Sequence, residues 1–227
     1  MDIDVGQIVL QYFVLLFSLC FHEAAHAWMS NRCGDPSARL LGRLTLDPRK
    51  HIDLLGTVVM PLAMMILPQI QGGASGYMFG WAKPVPFNPR NLNNARRDPV
   101  LIAIAGPVSN LLIAIIATLS LRIVVILARM DESGAYLEGL SIASQVIEAL
   151  IYINLLLMLF NIIPIPPLDG HYALKYFLPP AAEEQFERIG PMGLIITMLF
   201  IAPIWVGLTL PILVSIVRFA AGLSGGN

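Results

Sequence analysis

His22, Glu23 and His26 form a His-Glu-x-x-His pattern within FHEAAHAW, residues 21–28. Residues four apart share one face of an α-helix, so the two imidazoles address a single point. On a helix this spacing makes a zinc-binding pair, with the intervening glutamate as general base of a metallopeptidase. Glu23 sits about 100° round the helix from His22, near enough to reach a metal-bound water without ligating. The metal would lower the pKa of that water towards ~7 and polarise a scissile carbonyl. Glu23 would take the proton and pass it to the leaving amine.

These three residues interrupt the run IVLQYFVLLFSLCFHEAAHAWM, and ionisable groups at membrane depth are costly enough to mark a functional site. Catalytic zinc normally has three protein ligands and one open position. The remaining histidines are His51, in a basic loop, and His171. Among the acidic residues near the ends of apolar runs, Asp169 stands out in NLLLMLFNIIPIPPLDGHY, residues 154–172. Pro164, Pro166 and Pro167 cannot continue a helix, so the run must end near Ile163 and hand Asp169 to an extended segment. Gly170 would then permit a sharp turn. Cys20, two positions before His22, faces away from His26 and is not counted as a ligand, and His171 should point away from Asp169.

The positioning elements are apolar. Of 227 residues, 56 % are hydrophobic and 13 % charged, and the net charge is −1. A soluble domain carries about 25 % charged residues, so the composition indicates a membrane-embedded chain and excludes a basic nucleic-acid-binding face. Cys20 and Cys33 lie in contexts that argue against a structural disulfide. The opening MDIDVGQ lacks the basic region of a cleavable signal peptide, so the first apolar segment is expected to stay.

Four segments, Val5–Trp28, Val100–Ile126, Gly139–Ile163 and Pro191–Val217, each reach the roughly 20 residues that a bilayer requires. Leu54–Ile70 is shorter, carries Pro61 and Pro68, and runs into QGGASGYMFG. The expected fold is an all-α polytopic membrane protein of about four full transmembrane helices, a re-entrant or hairpin segment and short membrane-associated β-strands. The strand candidates are ARLLGRLTL (residues 38–46) and YMFGWAKPVPF (residues 77–87), the latter as an edge strand or extended loop because of its prolines.

Arg32, Arg39, Arg43, Arg49 and Lys50 fill one loop, and Lys83, Arg90, Arg96 and Arg97 another, whereas Asp131, Glu132 and Glu138 mark a third. The positive-inside rule puts both basic stretches in the cytoplasm. They share a side only if Leu54–Ile70 re-enters or forms part of a hairpin. That topology leaves both termini outside and brings Asp169 to the cytoplasmic side, where His22 and His26 lie.

HEAAH in a hydrophobic span, with NIIPIPPLDGH far downstream, resembles the site-2-protease family of intramembrane zinc metalloproteases. GDPSARLLGRLTLDPRKHIDLLGT, FGWAKPVPFNP and AGPVSNLL resemble its compact bacterial and archaeal branch, which lacks a PDZ or CBS domain. The resemblance covers most of residues 15–175. It implies a single integral-membrane metalloprotease domain over residues 1–227 with its catalytic core at about 5–175. It further implies one zinc ion (Zn2+) held by His22, His26 and Asp169, with Glu23 as base. Asn161 is expected to hydrogen-bond near the active site and help stabilise an oxyanion. The implied substrates are transmembrane or signal-peptide-like proteins, cut in or near their membrane segments. An edge strand at 77–87 or 38–46 would pair with the unwound substrate. Gly106 and Asn110 would serve helix packing with a buried hydrogen bond, and Arg122 would snorkel to the outer interface.

Two other functions fit parts of the sequence. A catalytically idle relative would bind zinc and retain membrane clients, but would not need Glu23. A metal transporter would require a polar path through the other spans, which segments 100–126 and 191–217 do not offer.

Overall fold

The computed structural model describes residues 4–70, 80–131 and 133–223. The chain forms two compact units, one up to Ala95 and one from Arg96 onward.

The first unit opens with α1 (Val5–Arg32), capped by the Asp4 carboxylate, which accepts the Gln7 N–H at 2.9 Å. Its 28 residues rise about 42 Å, more than the ~30 Å hydrocarbon core. The chain then turns through Gly34, at φ +101°, into α2 (Ser37–Leu40). This corrects the strand expected at 38–46. The Arg43 N–H bonds the Ala38 carbonyl and the Gly42 N–H bonds that of Arg39, both at 2.9 Å, with Gly42 at φ +67°. That is a Schellman stop, and it satisfies locally the backbone groups that a strand would offer to a neighbour. The alternation that suggested a strand is real but inverted: Arg43 is buried while Leu44 and Leu46 face outward.

Asp53 caps a π-helical turn (Leu54–Val59) that continues into α3 (Met60–Ile70). Residues 71–79, on which the choice between re-entry and crossing depends, lie outside the described residues, and with them the first residues of the 77–87 candidate. From Gly80 to Phe87 the chain forms neither helix nor strand, and Pro84 and Pro86 bias the residues before them to extended backbone. No β-ladder forms among the described residues, so the expected membrane-associated strands are not present there. The segment is instead strapped to 51–57 along one side. The Trp81 N–H donates to Gly56 O (3.1 Å), the Lys83 N–H to His51 O (2.8 Å) and the Thr57 hydroxyl to Trp81 O (2.8 Å). The buried Arg43 guanidinium donates to the carbonyls of Lys83 and Pro84. Gly56 is required here, because a Cβ would fall 2.3 Å from the Trp81 ring.

The second unit contains α4 (Asp98–Met130), α5 (Leu137–Asn161), α6 (Gly170–Lys175), α7 (Pro180–Glu187), α8 (Gly190–Ile196) and α9 (Ala202–Ala220), with a π-helical turn at Thr197–Ile201 joining the last two. Ala114, Ala117 and Leu121 of α4, Ile151, Leu155 and Leu159 of α5, and Val206 and Leu210 of α9 form its core. Small residues on α4 let the helices approach closely. The expected buried hydrogen bond exists: the Asn110 amide donates to the Asn154 side-chain carbonyl at 2.8 Å, and both residues are fully buried. Arg122 and Arg129 of α4 donate to the carbonyls of Ala220 (3.0 Å) and Gly222 (2.8 Å), capping the end of α9. The role of Arg122 is thus a helix cap. Among the described residues four helices, Val5–Arg32, Asp98–Met130, Leu137–Asn161 and Met192–Ala220, are long and apolar enough to cross a membrane.

Asp35 ties the first unit's loops together. It is fully buried, and its carboxylate accepts from the Ser37 hydroxyl (2.6 Å), the Asn88 N–H (2.6 Å) and the Asn91 amide (2.9 Å). Burial alone would raise its pKa, but these hydrogen bonds outweigh it and bring the value down to about 2 from an ordinary 3.8. A depressed carboxylate pKa stabilises the fold fully above the unfolded value, and that contribution is lost as pH falls through the folded one. The protein in detergent should therefore lose stability between about pH 4 and pH 2. Asp35→Asn should start less stable at neutral pH and decline less steeply across that window, followed by tryptophan fluorescence. An unchanged slope would remove Asp35 as a source of acid sensitivity.

Candidate metal centre

Along α1 a polar stripe, Ser18, His22, Glu23, His26 and Ser30, is buried, while Phe13, Phe17 and Trp28 point outward. The spacing keeps these polar residues on one helix face, turned inward because lipid offers them no hydrogen-bond partner. Ser18 satisfies itself against the Val14 carbonyl at 2.8 Å. His22 Nε2 and His26 Nε2 lie 3.0 Å apart, their rings edge-to-face with centroids at 4.6 Å. One ligating atom from each of His22, Glu23 and His26 lies within 4.8 Å of the others.

Two features fit this group to zinc. Two nitrogens on a tetrahedral zinc at 2.0–2.1 Å stand about 3.3 Å apart, close to the 3.0 Å observed. Glu23 Oε2 is buried with no hydrogen-bond partner among the described residues. A buried carboxylate oxygen in that state is unfavourable unless a further group meets it.

His51, the other histidine of this unit, lies outside the cluster. It is buried, with Nε2 at 2.8 Å from the Thr45 carbonyl. Cys20 and Cys33 are both buried and are not joined in a disulfide.

In the second unit α5 ends at Asn161, where the proline run begins. Asp169 is not in an extended segment, as the sequence suggested, but heads α6. The glycine after it is needed for close approach rather than for an unusual backbone angle. A Cβ on Gly170 would lie 2.3 Å from the Ile162 carbonyl oxygen. Asn161 and Asp169 share a cavity of about 340 Å³, otherwise lined by apolar residues including Pro107, Leu111 and Met158. The Asn161 amide donates to the Leu157 carbonyl at 2.9 Å. His171 is helical rather than strand-like and is buried, with Nδ1 at 2.6 Å from the Leu168 carbonyl. Burial holds its pKa below the ordinary histidine value.

Several residues now prominent were not singled out by sequence reasoning. Asp35 looked like an ordinary turn residue. Asn154 carried a usable signal, a carboxamide deep in an apolar run, whereas nothing in the sequence announced Trp205, whose partner is a main-chain carbonyl.

Residues 11–202 match the model for peptidase family M50. The chain is 36 % identical over 191 residues to YwhC of Bacillus subtilis, named a candidate zinc metalloprotease, covering 84 % of this chain and 79 % of that one. Rip2 of Mycobacterium tuberculosis, named in the same way, is 30 % identical over 190 residues, with 83 % and 65 % covered. Rip2 of Mycolicibacterium smegmatis is 28 % identical over 203 residues, with 88 % and 69 % covered. No solved structure matches the chain.

Gly170→Ala should force the Ile162 carbonyl aside and destabilise the second unit by about 2 kcal/mol, as overpacking does. Thermal unfolding in detergent reads this directly. A variant as stable as the parent would show that the turn has slack.

Proposed function

The chain belongs to peptidase family M50, the site-2-protease family, and from that premise we propose which residues carry its chemistry and what it cuts. It is an integral membrane zinc metalloprotease. Our reading is that His22, His26 and Asp169 bind one zinc, that Glu23 is the general base, and that the protein hydrolyses peptide bonds in or near transmembrane segments of membrane-protein substrates. The observation that carries it is the 3.0 Å approach of the two Nε2 atoms beside the orphaned Glu23 oxygen.

Zinc, when bound, lowers the pKa of a coordinated water towards ~7 and polarises the substrate carbonyl. Glu23 Oε2 accepts the proton of the attacking water and gives it to the leaving amide nitrogen. Asn161 already donates one N–H to Leu157. A carboxamide has two donors, and the second is suited to the oxyanion. The basic loops support a cytoplasmic-side active site in the cell membrane.

The substrate must be unwound, since a helix hides its peptide bonds in internal hydrogen bonds. Trp81 and Lys83 spend their N–H groups on the 51–57 segment. In an extended chain, alternate residues point the other way. That opposite edge suits pairing with an unwound substrate. On that edge lie Ala82, Pro84 and Pro86, and of these Ala82 alone has an N–H to offer.

Metal content of the purified protein should be about one zinc per chain, and both His22→Ala and Asp169→Ala should lose it. Glu23→Gln should keep the metal and lose about 10²–10⁴-fold in cleavage rate. Zinc retained without Asp169 overturns the ligand set. Residual full activity in Glu23→Gln overturns the base.

Replacing Ala82 by proline should raise KM for a transmembrane substrate about ten-fold, the worth of one good hydrogen bond, with little change in kcat. An unaltered KM would rule out this edge as the substrate strand.

A further inference from the structure

The segment between α5 and α6 has too few donors to fix its own shape. Of residues 162–169, Pro164, Pro166 and Pro167 have no N–H. Its internal bonds are few: Ile165 N–H to Ile163 O at 2.9 Å, and Leu168 N–H to Ile165 O at 3.0 Å. Asp169, at the end of this segment, must nonetheless be held to within a fraction of an ångström if it is to ligate a metal.

Two contacts from the C-terminal helices hold this region, one on the last turn of α5 and one on the middle of the segment. In a continuing helix the Ile163 N–H would serve the Leu159 carbonyl, but it donates to Phe160 O instead. The indole N–H of Trp205 on α9 takes that carbonyl at 3.0 Å. On α8, Gly193 lies so close that a Cβ would fall 2.2 Å from the Pro166 carbonyl oxygen and 3.1 Å from the Ile165 side chain.

The π-helical turn at Thr197–Ile201 explains how two residues twelve apart meet the same segment. Twelve positions in an unbroken α-helix turn through 1200°, leaving them about 120° apart. A π turn absorbs one extra residue, so the separation behaves as eleven positions. Eleven positions turn through about 1100°, within roughly 20° of three full turns. The turn thus swings Trp205 onto the face that carries Gly193. Its first residue, Thr197, is fully buried.

We infer that Trp205 and Gly193 are positioning residues for Asp169: α8 and α9 clamp the proline turn at Leu159 and Pro166 and thereby set where the carboxylate sits. The inference rests on reading Asp169 as a zinc ligand. It assigns the C-terminal helices a part in metal binding, although they supply no ligand.

The test compares zinc affinity by competition with a chromophoric chelator, cobalt absorption spectra and thermal stability of the metal-free protein. The variants are Asp169→Ala, Trp205→Phe, Gly193→Ala and a packing control, Val206→Ala, a neighbouring core residue on α9. Trp205→Phe keeps an aromatic ring but no donor, and should weaken zinc about ten-fold, the lower end for loss of a ligand's supporting contact. Its cobalt bands should shift in position or intensity. Gly193→Ala should do the same. Val206→Ala should lower the melting temperature of the metal-free protein at least as much as Trp205→Phe, yet leave zinc affinity unchanged. If Asp169→Ala loses zinc while Trp205→Phe binds it within two-fold of the parent with the same cobalt spectrum, the clamp is wrong and the ligand assignment stands. If Val206→Ala weakens zinc equally, the effect is general loosening and the clamp is again wrong. If Asp169→Ala keeps its zinc, the ligand assignment falls and takes the clamp with it.

Discussion

Two imidazoles and a carboxylate buried on one face of a bilayer-length helix are what the rest of this structure must accommodate. Each is expensive to remove from water, and the expense is contained only if all of them converge on a common partner. The helix answers by spacing. His22 and His26 sit one turn apart, Glu23 lies between them, and Ser18 and Ser30 extend the same inward stripe. The opposite face keeps Phe13, Phe17 and Trp28 exposed, as a helix solvated by lipid requires. On the proposed reading a zinc ion would resolve the remaining imbalance: His22 and His26 would hold it at about their present nitrogen separation, and a water held there would give the orphaned Glu23 oxygen a proton to accept.

The same logic of satisfied polar groups runs through the second unit. Ending a helix inside an apolar environment exposes carbonyls that water would otherwise meet. The proline run after Asn161 makes that problem acute, and the chain meets it with side chains. Trp205 covers Leu159, while Arg122 and Arg129 cover the last turn of α9. Asn110 and Asn154 satisfy each other between α4 and α5. Glycines serve a parallel purpose: Gly170 and Gly193 let backbone pass against backbone where any Cβ would strike a carbonyl.

What could be read from the sequence follows from which of these constraints act locally. The close approach of His22 and His26, the four long apolar helices and the helix stop at the prolines each depend on residues within a few turns, and all are legible in the sequence. The strand at 38–46 was misread because alternation was taken without asking what would pair with it. Gly42 and the Schellman bonds close the backbone on itself, and Arg43 is drawn inward by carbonyls some forty residues away. The extended placement of Asp169 failed for a related reason. Prolines forbid helix only up to Pro167, and α6 restarts as soon as they end. Asp35 and Trp205 were invisible because their partners are main-chain groups or loop residues distant in sequence.

If the substrate is itself a membrane helix, as proposed, the segment from Gly80 to Phe87 is the candidate edge that would receive it. Backbone left unpaired at membrane depth is unfavourable, so an edge held ready for a substrate must leave few groups to satisfy. Prolines at 84 and 86 achieve this by deleting N–H groups, and Arg43 takes the carbonyls of Lys83 and Pro84. What remains for a partner on the edge away from 51–57 is sparse, chiefly the Ala82 N–H. A sparse edge favours a chain that arrives already unwound over one that is still helical, because it can compensate only part of the hydrogen bonding a helix gives up. On this reading, selectivity for locally unstable transmembrane segments follows from how little the edge provides.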